Sequence, residues 1–352
     1  MTLDDTAKAL LTGEEASMAD LQSYWAAVDV GARPREEIIG VLAVLGAGPS
    51  CSLRMQSFVR YVRSAYPPAR LPAATTAVNI VGTGGGLSTF NISTTAAIVT
   101  AAAGGRVLKS GSSAYSSSVG SADIMQALGL SRATSDSYVD AMLSEVGLAF
   151  AAPQRYAALC KRLAIAAMPL NFKIVGRFVN TLGPLICPYD VRASVIGAST
   201  PERMRQLTGI ARTLQIPALM AHSELGVDEF LSIGCTRWQW ADAAEMRRFC
   251  GSEIGLSDGP VEALAGGTLD DNLTTMLRIL RGRGPRLATQ TVAVNAGAAL
   301  YAGGIARDIA EGTRRALDCI RSGAPFDTLE AAQAFAKKNT GKARASLQRA
   351  LA

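Results

Sequence analysis

Apolar residues recur at helical spacing through the first seventy positions. Leu21, Tyr24, Trp25, Val28 and Val30 form one stripe, GARPREE (31–37) punctuates it, and a second stripe runs from Ile38 to Leu45. PPARLPAA, from Pro67 to Ala74, has the composition of a linker. The texture then changes. TAVNIVGTGGG is a short β-branched run ending in glycines, and the alanine-rich TFNISTTAAIVTAAAGG after it reads as a helix. RVLKSGSSAYSSSVGS leading into ADIMQALGL repeats that order, and further strands are expected at LAFAA (148–152), ASVIG (193–197), PALMAH (217–222) and TQTVAVNAG (289–297). Strands alternating with helices predict an α/β fold: a small helical N-terminal domain over residues 1–70, and a large α/β domain over residues 75–352 with a central sheet flanked by helices. Between Arg162 and Pro188 helical and strand periods conflict, and no repeat of solenoid spacing occurs.

Composition supports a globular chain of more than one average domain. Of 352 residues, 49% are hydrophobic and 18% charged, which is ample for a core. No apolar run reaches the length of a membrane span, and MTLDDTAKALLTGEE is acidic and lacks the apolar segment of a secretory signal, so a cytoplasmic protein is expected. Six scattered cysteines without a Cys-x-x-Cys pair are expected to be reduced, mostly buried thiols. A single histidine, His222, removes most nucleophile–histidine schemes and any histidine-rich metal site. The net charge of +6 implies affinity for anions, which a phosphate-rich small substrate or a nucleic acid would satisfy. The basic residues of the C-terminal stretch, Lys337, Lys338, Lys342, Arg344 and Arg349, are spaced as on a solvated helix face.

Three segments carry chemistry. Gly82, Thr83, Gly84, Gly85 and Gly86 lie between a strand and a helix, where glycine lets backbone N–H groups approach phosphate and the helix start adds its positive end. Thr89, Asn91, Ser93 and Thr94 crowd that helix start; they would serve as caps or as phosphate donors, and four such groups exceed what capping needs. The spacing is neither a dinucleotide fingerprint nor a Walker loop. The second segment opens with Lys109 and Ser110, continues through serines 112, 113 and 116–118, and closes at Ser121. It reads as a low-complexity linker or as a second anion loop with lysine as point charge and hydroxyls as donors; its position between strand and helix favours the loop. Third, Asp228 and Glu229 follow a turn. Adjacent carboxylates are commonly surface charge, but beside two phosphate loops they become ligands for Mg²⁺, which prefers oxygen and bridges substrate phosphates.

GTGGGLSTFNISTTAA, KSGSSAYSSSVGSADIMQALGL, NTLGPL, HSELGVDEF and VNAGAALYAGGIARDIAEG stand in the order found in anthranilate phosphoribosyltransferases, and the chain resembles that family, related to the type II nucleoside phosphorylases, over nearly its whole length. The resemblance implies transfer of a phosphoribosyl group from the diphosphate sugar PRPP with Mg²⁺, and a homodimer. The dimerisation surface would lie on the helical domain, with a segment near 170–190 packed on it. Carried over by position, Gly82, Gly84, Gly85, Thr89, Asn91, Ser93, Thr94, Lys109, Ser117 and Ser121 would hold PRPP. Ser93, Asp228 and Glu229 would coordinate the metal, and Ser110, Ser112 and Arg177 would meet the acceptor.

The departures from the family pattern are concentrated. Gly86 replaces an aspartate in a shortened first loop, and Lys109-Ser110-Gly111-Ser112-Ser113 stands where the family has Lys-His-Gly-Asn-Arg. Arg155-Tyr156-Ala157-Ala158-Leu159 occupies the region of the family's anthranilate tunnel, and Gly176 takes the place of its anthranilate-binding arginine, with Arg177 one position on. PRPP and metal groups are largely kept and acceptor groups largely replaced, so the expected acceptor is an aromatic or heteroaromatic ring acid related to anthranilate. Some relatives are nucleic-acid-binding proteins, the rival reading that the basic charge suits; nucleoside phosphorolysis is a third, which TFNIST disfavours.

Overall fold

Four helices open the chain: α1 (Asp5–Thr12), α2 (Met18–Asp29), α3 (Arg35–Ala47) and α4 (Ser52–Ala65). The computed structural model describes residues 4–48, 51–84, 86–111, 119–130 and 133–351, with side chains to residue 339. Ser17 caps α2 by accepting the Asp20 N–H, and Asp4 caps α1 through Ala7 at 2.7 Å, each hydroxyl or carboxylate satisfying a donor that a helix start leaves free. The stripe read from the sequence is the buried face: Trp25 stands edge-on to Phe58 at 5.1 Å between ring centroids and stacks on Phe178 at 6.0 Å, and its indole N–H donates to Ser57 Oγ at 3.0 Å.

After the linker come β1 (Val78–Gly82), α5 (Ile92–Ala102), β2 (Val107–Lys109), α6 (Ser121–Ala127), α7 (Asp136–Val146) and β3 (Leu148–Phe150). The ambiguous stretch resolves into short helices, α8 (Ala158–Ala167), α9 (Phe172–Val175) and α10 (Arg177–Leu182), which pack against α2, α3 and α4. The chain continues through β4 (Ala193–Gly197), α11 (Pro201–Thr213), β5 (Ala218–Ser223), β6 (Cys235–Trp240) and β7 (Arg247–Cys250) to α12 (Leu269–Leu280), α13 (Arg286–Ala302), α14 (Ile309–Ser322) and α15 (Ala324–Leu351).

The seven strands form one sheet in the order β3-β2-β1-β4-β5-β6-β7, parallel through β5 and antiparallel in β6 and β7. Alternation along the strands divides two cores. Val195 and Leu219 face a cluster with α5 and α13, whereas Ile196 and Met220 face a cluster that continues through α11 into the N-terminal helices. The far side of the sheet and the helical layer therefore share one hydrophobic mass.

Two expectations are corrected. TQTVAVNAG is not a strand but the middle of α13, where every residue from Thr291 to Leu300 is buried; a helix enclosed on all sides loses the polar stripe that would betray its period. Nor are all the thiols free. Cys235 and Cys250 are register partners across β6 and β7, 4.3 Å apart at Cα, and form a disulfide, while Cys51 is exposed and Cys187 buried. The pairing of two strands, not a sequence motif, brings them together.

Candidate active site

The strand order reverses around β1 and β4, since β1 leads outward to β2 on one side and β4 leads to β5 on the other. Open parallel sheets bind ligands in the crevice at such a switch point, beyond the carboxyl ends of the strands. Lys109 at the end of β2, the glycine loop after β1, and Asp228 and Glu229 after β5 all meet at that edge.

The glycine loop is held by its neighbours across the crevice. Thr83 N–H donates to Gly197 O at 3.0 Å, and Gly84, at φ +69°, donates to Asp228 Oδ2 at 2.6 Å. The Gly84 carbonyl accepts from Ser199 Oγ at 3.2 Å and from Arg203 Nη1 at 3.1 Å. Close approach explains the glycines: a Cβ on Gly82 would stand 2.2 Å from Asp228 Oδ2, one on Gly86 2.4 Å from Gly226 O, and one on Gly197 1.7 Å from Asp228 O. Gly85 lies outside the described residues.

At the start of α5, Asn91 occupies the N-cap position without capping. Its Nδ2 donates to Val119 O at 3.1 Å and its Oδ1 accepts from Asn272 Nδ2 at 3.1 Å, tying this helix start to the second loop and to α12. Thr94 is buried in the helix, and Thr89 forms a bridge with Ala265. Ser93 faces the crevice: its hydroxyl accepts from Lys109 Nζ at 3.0 Å, and both its backbone and hydroxyl bond Glu229.

Lys109 is buried and also donates to Ile80 O at 2.8 Å. Burial lowers its pKa, and the charge of Glu229 works in the opposite direction. Ser110 is buried too and turns to Asn79, whose Nδ2 donates to its hydroxyl at 2.8 Å and whose Oδ1 accepts its N–H at 2.9 Å. Gly111 and Tyr156 exchange two hydrogen bonds of 3.0 Å, and a Cβ on Gly111 would meet Ser121 Oγ at 2.5 Å, so Ser121 closes the loop's return into α6. Ser112 and Ser117 lie outside the described residues.

Asp228 and Glu229 are fixed by the apolar residues around them. Val227, Phe230 and Leu231 are buried, and Asn295 on α13 clamps Phe230, accepting its N–H at 3.2 Å and donating to its carbonyl at 2.7 Å. Burial raises both carboxyl groups above their ordinary pKa, and the charge of Asp228 raises Glu229 further. Among the described residues no group of three or more His, Cys, Asp or Glu side chains could hold a metal. Two adjacent carboxylates and a serine hydroxyl are an oxygen donor set that leaves coordination positions for substrate and water, which suits Mg²⁺ better than an all-protein cage would.

Arg177 opens α10 and is exposed on a cavity of about 230 Å³, lined also by Leu45, Met55, Phe178 and Arg203. Four supporting residues carried no signal in the sequence reading. Asn79, Gly197, Arg203 and Asn295 act through partners 31 to 119 positions away, where no local pattern marks them.

Glycine and lysine loops that meet a carboxylate pair at the switch point of a mostly parallel sheet fit a glycosyl-transferring enzyme, and residues 74–326 match the family model described as "Glycosyl transferase family, a/b domain". Among curated relatives, the anthranilate phosphoribosyltransferase of Thermomicrobium roseum is 33% identical over 91% of this chain and 93% of its own length. That of Rhodospirillum rubrum is also 33% identical, over 90% and 91%. The crystal structure of the enzyme from Thermus thermophilus superposes with a TM-score of 0.82 at 30% identity, covering 95% of this chain and all of the other. The yeast enzyme in complex with PRPP and Mg shares the fold, with a TM-score of 0.81 at 20% identity, covering 95% and 97%. The chain belongs to the anthranilate phosphoribosyltransferase family.

Proposed function

We propose that this chain transfers a phosphoribosyl group from PRPP, with Mg²⁺, to an aromatic or heteroaromatic ring acid related to anthranilate, releasing diphosphate. The observation that carries the reading is the meeting of Gly84, Ser93, Lys109, Asp228 and Glu229 at the sheet's switch point. Asp228, Glu229 and Ser93 would hold the metal, which when bound would neutralise charge on the diphosphate. The glycine loop and the start of α5 offer backbone and hydroxyl donors to phosphate, and Lys109 supplies a fixed positive charge. As the C1–O bond breaks, its electron pair leaves with diphosphate and the acceptor's lone pair takes its place at C1. That chemistry depends on positioning and needs no dedicated base, in keeping with a site whose nearest histidine, His222, is bonded to Ala198 O.

Anthranilate is expected to be a poor acceptor. Ser110 is occupied by Asn79 and cannot replace an imidazole in shape, and Arg177 reaches the cavity from the neighbouring helical position. Steady-state diphosphate release should show a related ring acid or N-heterocycle outperforming anthranilate; efficient anthranilate turnover at micromolar concentration would overturn this. Binding is tested separately. PRPP with Mg²⁺ should raise the melting temperature, because a ligand selective for the folded state stabilises it by mass action. No shift, together with tight and steeply salt-dependent DNA binding, would favour the nucleic-acid reading instead.

The proposed assembly is a homodimer through the helical layer. Val30, Ile165, Met168, Leu170 and Ile174 are exposed there, a concentration of apolar surface that water disfavours. Ile174→Asp should shift the mass seen by light scattering from dimer to monomer; an unchanged mass would move the interface elsewhere. Among the described residues no helix is long and apolar enough to cross a membrane.

A further inference from the structure

Three arginines line the cavity beside the glycine loop: Arg54 from α4, Arg177 from α10 and Arg203 from α11. None forms an ion pair among the described residues, although elsewhere on the molecule arginine–carboxylate pairs are frequent. Arg54 is engaged with backbone, donating to Ala9 O at 3.3 Å and Glu14 O at 2.7 Å. Arg203 uses Nη1 on Gly84 O and on Ser199 Oγ at 2.7 Å. Arg177 has no hydrogen bond among the described residues. Burial and the charge of Arg177 both hold the Arg203 guanidinium below its ordinary pKa, and Asp228 offsets them only through a longer-range attraction. Two guanidinium groups thus repel each other across a partly enclosed space of mixed character, where Leu45, Met55 and Phe178 supply apolar surface beside Arg54, Cys51 and Thr181. Such an arrangement costs the unliganded protein stability and is relieved by negative charge entering between them.

Size and chemistry define what fits. A cavity of about 150 Å³ holds benzene, so about 230 Å³ admits a ring with substituents. Leu45, Met55 and Phe178 offer a ring apolar contact, and planar guanidinium forks favour carboxylates over other anions of similar charge. A monoacid would satisfy one arginine and leave the other unpaired.

We propose that the acceptor is a ring bearing two acidic groups, one met by Arg177 and the second by Arg203, which makes Arg203 a specificity-determining residue. This rests on the reading of the cavity as the acceptor site. It also explains why Arg203 is anchored at the Gly84 carbonyl: the side chain that reads the second acid is positioned against the loop proposed to hold PRPP.

The test compares anthranilate with aminobenzenedicarboxylates carrying the second carboxylate at each free ring position. With PRPP and Mg²⁺, KM for the best diacid should lie at least about thirtyfold below that for anthranilate, as an unpaired arginine–carboxylate contact implies. Arg203→Gln should bring this ratio close to one, Arg203→Lys should retain part of it, and Arg177→Gln, an independent variant, should also collapse it. Loss of structure alone would weaken both acids together and leave the ratio unchanged, which would overturn the proposal. So would equal KM values in the unaltered protein, or an Arg203→Gln effect confined to KM for PRPP, which would assign the residue to the diphosphate. Equilibrium dialysis of the same acids without PRPP reads the ratio independently of catalysis. A preference there with no diphosphate release would sink the transferase reading and keep the diacid site; diphosphate release without any diacid preference would do the reverse.

Discussion

Exchanging Asp228 for Asn together with Glu229 for Gln is expected to lower turnover by about a hundredfold or more, because loss of metal ligands removes several kcal/mol of transition-state stabilisation. The fold should survive. Asn at 228 keeps a side-chain oxygen for the Gly84 N–H, which Asp228 accepts at 2.6 Å, and the buried neighbours Val227 and Phe230 are untouched. Without metal, the melting temperature of this variant should vary less with pH than that of the unaltered protein. Both carboxyl groups are raised above their ordinary pKa in the folded state, so the stability they contribute is present below the usual carboxylate range and is lost as pH rises past their raised values. The amides remove that pH dependence, while Glu229→Gln also leaves the buried Lys109 without its partner charge, so no net gain in stability is expected at neutral pH. The melting shift produced by PRPP with Mg²⁺ should disappear in the same variant. Full turnover at ordinary Mg²⁺ concentration would remove the pair from the mechanism.

The second large effect is expected at Gly197. Its added methyl group in Gly197→Ala would stand 1.7 Å from Asp228 O and 2.3 Å from the carbon bearing it, and these are backbone atoms that no rotamer change can move aside. Inserting a methyl group into packed structure costs about 1–3 kcal/mol, and a clash of this depth belongs at or beyond the upper end. Relief requires the loop carrying both carboxylates to shift, so turnover should fall tenfold or more beyond the loss of stability. Gly209→Ala is the control. It lies within α11 with nothing near the new atom, so the substitution should stabilise by about 0.5–1 kcal/mol through helix propensity. Melting temperatures and rates measured side by side would decide; equal behaviour of the two variants would mean the crevice is far more yielding than its contacts imply.

The strands β1, β4 and β5 were legible because a parallel sheet covered on both faces favours near-continuous apolar runs, and VNIVG, ASVIG and ALMAHS come close, with only Asn79, Ser194, His222 and Ser223 polar. The antiparallel pair was not. CTRWQW and RRFC place Arg237, Arg247 and Arg248 where one side meets solvent, and arginine breaks the pattern that a short strand needs to stand out. Helices α9 and α10 are only four and six residues long and meet at Gly176, too short for a period to emerge. In the site, glycine and hydroxyl groups marked the first loop because local backbone geometry demands them. Asn295 and Arg203 are different in kind: each matters only through what the fold sets opposite it, Phe230 in one case and Gly84 in the other.

The hydrophobic mass shared by the far side of the sheet and the N-terminal helices also bears on how such an enzyme changes over evolutionary time. The loops at the switch point hang from the sheet, whereas the arginine-lined cavity has walls from α3 and α4 as well as from α10 and α11. A lineage that repacks the seam, for instance around Gly46, whose missing Cβ faces Val175 O at 3.5 Å, reshapes the cavity without disturbing Gly84, Lys109 or Glu229. Under the proposed reading, the acceptor cavity is remodelled from the helical seam while the donor loops stay on the sheet, and Arg203, bonded to Gly84 O, links the two.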